Sequence, residues 1–272
     1  MPQTINTNVP SLTAQRNLNS TQNDMQTALQ RLSSGLRINS ARDDAAGLAI
    51  AERMNGQVRG MNVAVRNAND AISMAQVAEG GLNEIGNMLQ RMRELAVQSA
   101  NGTNSTGDRA NLDAEFQALN TDISRVSEVT KFNGLSVIGT AAATFVFQVG
   151  ANSGETLGVS TTAMDATSLS VNTLNITDAT NSSAAIVGLD TAIDQVTTER
   201  ANLGAAQSQF SSAINNLQVG MENQAAARGR IVDADFAVET ANMTRSQILQ
   251  QAGTAMVSQA NSAPQSVLSL LG

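Results

Sequence analysis

Apolar residues recur along this chain at steps of three and four, and the longest run of that pattern begins at Met54. It continues through Val58, Met61, Val65, Ala68, Ile72, Ala75, Ala78, Leu82, Ile85, Leu89, Met92 and Ala96. Twelve steps over 42 residues give a mean of 3.5, the coiled-coil period. One slip, a three where a four is due between Ala75 and Ala78, lies beside Gly80-Gly81 and reads as a local stammer. Ser40 is placed to cap this helix, and Asp43 and Asp44 suit its first turn. A helix from Ala41 to Ala100 would be about 90 Å long, a rod and not part of a compact domain.

Asn101 to Gly107 reads as a reversing loop, because Asn and Gly tolerate left-handed backbone. From Asp108 a second helix places Leu112, Phe116, Leu119, Ile123 and Val126 on one face, and Lys131-Phe132-Asn133-Gly134 ends it. A third set, Leu189, Ile193, Val196, Leu203, Phe210, Ile214, Leu217 and Met221, repeats the heptad, with Arg200 and Gln207 interrupting the seam. Between these helices the period changes to two. Phe145, Phe147 and Val149 alternate with Thr144, Val146 and Gln148, a turn-rich Gly150 to Gly154 follows, and Leu157 and Val159 alternate again, which predicts a β-hairpin. Leu169, Val171, Leu174 and Ile176 add a strand or two on the same reading, and Thr177 to Ser183 reads as a polar surface loop. The predicted fold is mainly α, a long antiparallel coiled-coil rod with a small β-hairpin region between the helices.

The two ends carry stripes without a local partner: Leu18, Met25, Leu29, Leu32 and Leu36 near one, Met243, Leu249, Ala252, Met256, Leu268 and Leu271 near the other. An isolated helix is marginal in water, and a buried Leu or Met contributes about 1.5 to 3 kcal/mol only when another surface covers it. These segments are therefore expected to order in an assembly.

Composition sharpens that expectation. The 272 residues include six Phe but no Tyr, Trp, Cys or His, which removes the usual ligands of zinc, haem and iron–sulfur sites and the usual nucleophile–base pairs. The formal net charge of -7 disfavours general nucleic-acid binding. No charged side chain occurs from Met1 to Gln15 or from Ser246 to Gly272, as suits tightly packed segments in which buried ions would be penalised. The first residues, MPQTINTNVPSLTAQ, lack the pattern of a cleavable secretory signal, and no apolar run is long enough to span a bilayer. Asp43-Asp44 and Asp233-Ala234-Asp235 read as helix-terminal or interface groups and not as catalytic or metal-binding carboxylates. Arg228 and Arg230 read as surface or ion-pairing residues.

Four stretches carry a family resemblance: QRLSSGLRINSARDDAAGLAIA at Gln30 to Ala51, LQRMRELAVQSANGT at Leu89 to Thr103, FNG at Phe132 to Gly134, and ARGRIVDADFAVETANMTRSQILQQAGTAMVSQAN at Ala227 to Asn261. Together they closely resemble bacterial flagellin, and FQVGANSGET at Phe147 to Thr156 resembles that family's hairpin. Many flagellins insert large outer domains in the middle; this chain resembles a minimal form without them.

The resemblance implies a structural subunit of the flagellar filament, exported through the flagellar secretion channel and polymerised outside the cell, with no catalytic site, metal or cofactor. It implies inner-tube helices at 1–42 and 236–272, an outer-tube rod at 43–131 and 184–235, and a hairpin and loop region at 132–183. Leu18, Met25, Leu29, Leu32, Leu36, Met243, Leu249, Met256, Leu268, Leu270 and Leu271 would form the polymerisation core. Expected partners are copies of itself, the filament cap, hook-filament junction proteins and an export chaperone, with no nucleic acid and no membrane insertion. Arg91, Leu95 and Glu115 match residues that contact the flagellin-sensing Toll-like receptor of hosts. Gln30, Arg31, Leu32, Ser33, Gly35, Asn39, Asp43, Asp44, Gly47 and Leu48 fall in a stretch similar to the peptide perceived by the plant flagellin receptor kinase. The last leucines resemble those read by cytosolic sensors. The Ser/Thr-rich Thr161 to Ser183 reads as an ordinary exposed loop ahead of a site for O-linked sugars. A minor flagellin or a hook-filament junction protein is the alternative within this class. A protease carried in the central insert, as in some flagellins, has neither room nor a His-Glu-x-x-His motif here.

Overall fold

The computed structural model describes residues 7–268, and the side-chain surroundings of residues 7–263. The helices among them are α1 (Val9–Ser34), α2 (Ala45–Ala100), α3 (Thr106–Val129), α4 (Ala179–Val232) and α5 (Phe236–Leu268). Four short strands, β1 (Lys131–Phe132), β2 (Leu135–Ser136), β3 (Thr144–Gln148) and β4 (Thr156–Ser160), lie between α3 and α4. The chain forms two units, one gathering the residues up to Gly56 with those from Asn223, the other running from Gln57 to Glu222.

In the larger unit the predicted seam of α2 is the core. Ala68, Ala75, Ala78, Leu82, Ile85, Leu89, Met92 and Ala96 are buried there, while Val58, Met61, Val65 and Ile72 are half-buried, as is Met54 in the terminal unit. The helix α4 runs antiparallel to α2: Arg93 pairs with Asp190 at 2.6 Å, and Glu79 accepts from Gln207 at 3.2 Å and lies 3.9 Å from Arg200. The two residues that interrupt the α4 seam thus converge on one carboxylate of α2. Helix α3 starts at a capping box, in which the Ser105 side chain accepts from the Asp108 N–H and the Asp108 carboxylate accepts from Ser105. Gly81 allows α3's end to approach, since a Cβ there would lie 2.7 Å from Thr130 Oγ1 and 2.8 Å from Ile138 Cδ1.

The hairpin forms as expected. Strands β3 and β4 pair antiparallel with Phe145 opposite Val159 and Phe147 opposite Leu157, and these four side chains pack on the core. The Phe147 ring meets Phe210 of α4 edge-on, with centroids 5.8 Å apart and planes at 86°. The FNG segment does more than end α3. Asn133 and Gly134 both take positive φ, and the resulting tight turn pairs β1 with β2.

Four expectations need correction. Helix α2 begins at Ala45 and not at Ala41, and Asp44, not Ser40, caps it by accepting the Gly47 N–H at 2.8 Å. Ser40 instead donates its N–H and its hydroxyl to Asp43. No strand forms among Leu169, Val171, Leu174 and Ile176. Their alternation arises because an irregular segment presses Leu169, Val171 and Ile176 into the core while a row of α3 side chains satisfies its backbone. Asp113 accepts the Ile176 N–H, Gln117 and Asn120 donate to the Leu174 and Val171 carbonyls, and Ser124 accepts the Ala166 N–H. Thr177 to Ser183 is not a loop throughout, because Asp178 accepts the Asn181 N–H and opens α4 at Ala179. Within the Ser/Thr-rich stretch, Thr161 and Ser182 are buried.

Candidate assembly surface

In the terminal unit each end helix has a partner: the other end. Asn8 caps α1 by accepting the Ser11 N–H, and Pro10 occupies a first-turn position that needs no donor. Gly35, at φ 72°, closes the helix by donating to Arg31 O. The inward positions of α1 are Ser11, Ala14, Leu18, Thr21, Met25, Ala28 and Leu32, and those of α5 are Glu239, Met243, Ser246, Gln250, Gly253, Val257 and Ala260. Both rows alternate threes and fours. The pairing is antiparallel, as Asn8 donates to Ala260 O at 2.7 Å, Ser11 to Asn261 at 2.7 Å, and Arg31 pairs with Glu239 at 3.1 Å. At Gly253 the position a Cβ would take is 3.1 Å from Leu18 Cδ1, so close approach depends on that glycine.

The positions this seam buries most are small or polar, Ser11, Ala28, Glu239 and Ser246, its larger members Leu18, Met25, Leu32, Met243 and Val257 are half-buried, and further large apolar side chains stay outside. Phe236, Ile248, Leu249 and Met256 of α5, and Leu12 and Leu29 of α1, are all exposed. Phe236, Ala237, Ala241, Ile248 and Leu249 line a shallow groove along α5. The residues expected in the polymerisation core therefore divide. Leu18, Met25, Leu32, Leu36 and Met243 are half-buried, whereas Leu29, Leu249 and Met256 face outward. The Leu268 side chain and Leu270 and Leu271 lie outside the described residues.

The Gln30 to Ala51 stretch is the junction from α1 to α2. Its Leu36 bridges to Asp233, Arg37 donates its N–H to Val232 O at 2.7 Å, and Ile38, Ala51 and Val232 form a small core. The Asp43 carboxylate takes hydrogen bonds from the Ser40 side chain and backbone and from the Asn39 N–H, which hold it below the usual carboxylate range. Asn39 donates to Ser34 Oγ at 2.7 Å, and Gly47 is buried against Asp44 and Ile38. Gln30, Ser33, Asp43 and Asp44 are exposed, and Arg31, Leu32, Gly35, Asn39 and Leu48 are partly so. The acid pairs act at helix ends: Asp44 caps α2, and Asp235 caps α5 by accepting the Ala237 N–H at 2.9 Å. Sequence reasoning missed Glu239, a buried carboxylate whose partner Arg31 stands more than two hundred positions away.

Arg91 and Glu115 meet on the surface of α2 and α3. The Arg91 guanidinium bonds Glu94 at 2.9 Å and Glu115 at 2.9 Å, and those two carboxylates raise its pKa above the usual arginine value. Leu95 differs from the expected surface contact, being 1% exposed within the core. It belongs to the same buried cluster as Met92 and Ala96.

Among the described residues no helix is long and apolar enough to cross a membrane, and no three His, Cys, Asp or Glu cluster to hold a metal. Residues 5–140 match the family described as the bacterial flagellin N-terminal helical region, and residues 186–271 the bacterial flagellin C-terminal helical region. A flagellin of Halalkalibacterium halodurans is 46% identical over 269 residues, 98% of this chain and 99% of that one. Polar flagellin A of Vibrio parahaemolyticus is 36% identical across an alignment of 372 residues covering 98% and 99% of the two chains. That alignment exceeds the 272 residues here, so the Vibrio protein contains segments with no counterpart in this chain. The crystal structure of Bacillus cereus flagellin superposes with a TM-score of 0.52 at 35% identity, over 56% of this chain and 88% of that one. With matched regions at both ends and a short middle, the chain belongs to the bacterial flagellin family as a minimal member, a structural subunit of the flagellar filament.

Proposed function

We propose that the α1–α5 pair forms the inner tube of the filament, and that residues 43–131 and 184–235, with the hairpin region 132–183, form the outer tube. The observation that carries this reading is the outer face of α5, where Phe236, Ile248, Leu249 and Met256 are exposed while the apolar residues of the seam to α1 are only half-buried. Such a face gains its burial from neighbouring copies. Head-to-tail copies related by a rotation that does not close give an open helical tube. On this reading the chain has no catalytic role, passes through the flagellar export channel with its chaperone, and meets the cap and junction proteins at the filament ends. Deleting Ser246 to Gly272 tests it. The expected product is a folded, helical monomer that forms no filament on seeds; filaments of normal yield would refute the inner-tube assignment.

Recognition by the host Toll-like receptor is a second reading, supported by the exposed Arg91–Glu115 pair. Arg91→Ala is expected to lower receptor signalling by monomer at unchanged helicity, and an unchanged dose response would remove it.

A further inference from the structure

The composition leaves two-electron oxidants one kind of reactive side chain. Cys, His, Tyr and Trp are absent, and the chain holds 11 Met. Among the described residues, Met74, Met92 and Met164 are buried, and Met25, Met54, Met61, Met88, Met221 and Met243 are half-buried. Met256 alone of these is exposed, at 62%. It sits on α5 one heptad beyond Leu249, on the outward face, while Gly253 and Val257 turn toward α1. The exposed thioether thus stands in the apolar stripe that the proposed function gives to a second copy of the chain.

We propose that Met256 is a site of peroxide modification that controls entry of the subunit into the filament; the effect on assembly rests on the reading of α5 given above. The thioether sulfur attacks one oxygen of hydrogen peroxide, the O–O bond breaks as the S–O bond forms, and the departing hydroxide takes the proton from the sulfur-bound OH and leaves as water. Sulfur loses two electrons and the peroxide is reduced. The product, methionine sulfoxide, replaces a flexible apolar group with a polar acceptor. In the free subunit this group stays in water, so the fold tolerates it. At a contact between copies the S–O group would lose its water, and the outward stripe offers apolar neighbours in exchange. Packing in the filament also shields the sulfur, so the modification acts before incorporation and not after.

The test treats full-length monomer and preformed filaments with the same limited dose of hydrogen peroxide. Peptide mapping by mass spectrometry, circular dichroism and the critical concentration for polymerisation are then read. In monomer, Met256 is expected to gain one oxygen several-fold faster than the half-buried methionines, with helicity unchanged. The critical concentration should rise about tenfold, equivalent to about 1.4 kcal/mol. Filaments should oxidise at Met256 at least about tenfold more slowly, following their smaller fraction of exposed sulfur. In Met256→Leu, whatever its own critical concentration, the ratio of treated to untreated values should fall to near one. Oxidised monomer that polymerises at the untreated critical concentration would overturn the proposal, as would a full peroxide effect in Met256→Leu. Untreated chain that forms no filament would overturn the assembly reading together with it.

Discussion

Phe210→Ala tests how the hairpin is held. The Phe210 side chain is 1% exposed and meets the Phe147 ring edge-on at 5.8 Å. Besides the packing of Phe145, Leu157 and Val159 on the core, Asn67 donates to Gln148 O at 3.0 Å and Gly60 lets Ala151 approach α2 closely. Truncating a buried Phe costs about 3–5 kcal/mol through lost transfer energy and the cavity left behind. The edge-to-face pair accounts for about 0.5–1.5 kcal/mol of it. For a unit of this size one kcal/mol moves the melting temperature by about 2–4 °C, so a fall of roughly 6–20 °C is expected. With no Tyr or Trp in the chain, far-ultraviolet circular dichroism is the natural probe, joined by amide exchange over Thr144 to Ser160. A fall under about 3 °C with hairpin exchange unchanged would refute the reasoning. A double-mutant cycle with Phe147→Leu isolates the ring contact, and zero coupling would mean burial alone holds the strand.

Neighbouring glycines should respond in opposite directions to alanine. Gly80 has nothing within 4 Å of its would-be Cβ, so Gly80→Ala is expected to stabilise by up to about 1 kcal/mol in urea melts. Gly81→Ala, pressed on Thr130 and Ile138, should destabilise by about 1–2 kcal/mol. Ser105→Ala removes one half of the α3 capping box and should cost about 1 kcal/mol at neutral pH, measured by thermal melts. Acid should weaken the fold. Hydrogen bonds from Ser40, Ser105, Thr140 and Asn152 hold Asp43, Asp108, Glu128 and Glu155 below their ordinary values of 3.8 for Asp and 4.5 for Glu. A lowered pKa makes the unfolded chain the better proton binder, so this stabilisation is complete above the ordinary values and is lost as pH falls through the folded ones. Melting temperature should therefore be level above about pH 5 and drop below about pH 4, with a smaller drop in Ser105→Ala; a rise on acidification would contradict it.

The parts of the fold set by a single repeating contact were legible in the sequence. The α2 seam from Ala75 to Ala96 is buried where the 3.5-residue period puts it, and the alternation at Phe145 and Phe147 marks a real strand. Alternation at Leu169 to Ile176 misled, because period two records only which side chains point inward. There the backbone partners are Asp113, Gln117, Asn120 and Ser124 on a helix and not a neighbouring strand. Their own spacing of four, three and four was a visible polar stripe, and it was the available signal. At Leu95 the residue-by-residue resemblance gave an identity without a direction, and the run Leu89, Met92, Ala96 leaves it at the margin of the stripe, about 60° from Met92, so only the packed neighbours decide its burial. The Arg31–Glu239 pair leaves no local pattern at all, since its partners meet only after both ends of the chain have come together.

If α5 packs on neighbouring copies as proposed, the contrast between the two units gives its outer face more weight than its inner one. The α2 seam buries Leu, Ile and Met side chains completely, each contributing about 1.5–3 kcal/mol, so that unit is held by its own core. Among the described residues the α1–α5 seam nearly buries only Ser11, Ala28, Glu239 and Ser246, while its larger apolar members Leu18, Met25, Leu32 and Met243 are half-buried. Ordering a residue costs about 1–2 kcal/mol of backbone entropy, and the intramolecular seam offsets that poorly over two long helices. Meanwhile Phe236, Ile248, Leu249 and Met256 keep their burial energy unspent in the free chain. A larger inner seam would stabilise the monomer and weaken the advantage of joining a polymer. On the proposed inner-tube reading, half-buried apolar residues inside with large exposed ones outside would tie the order of the ends to assembly, and the terminal helices would gain most of their stability from other copies.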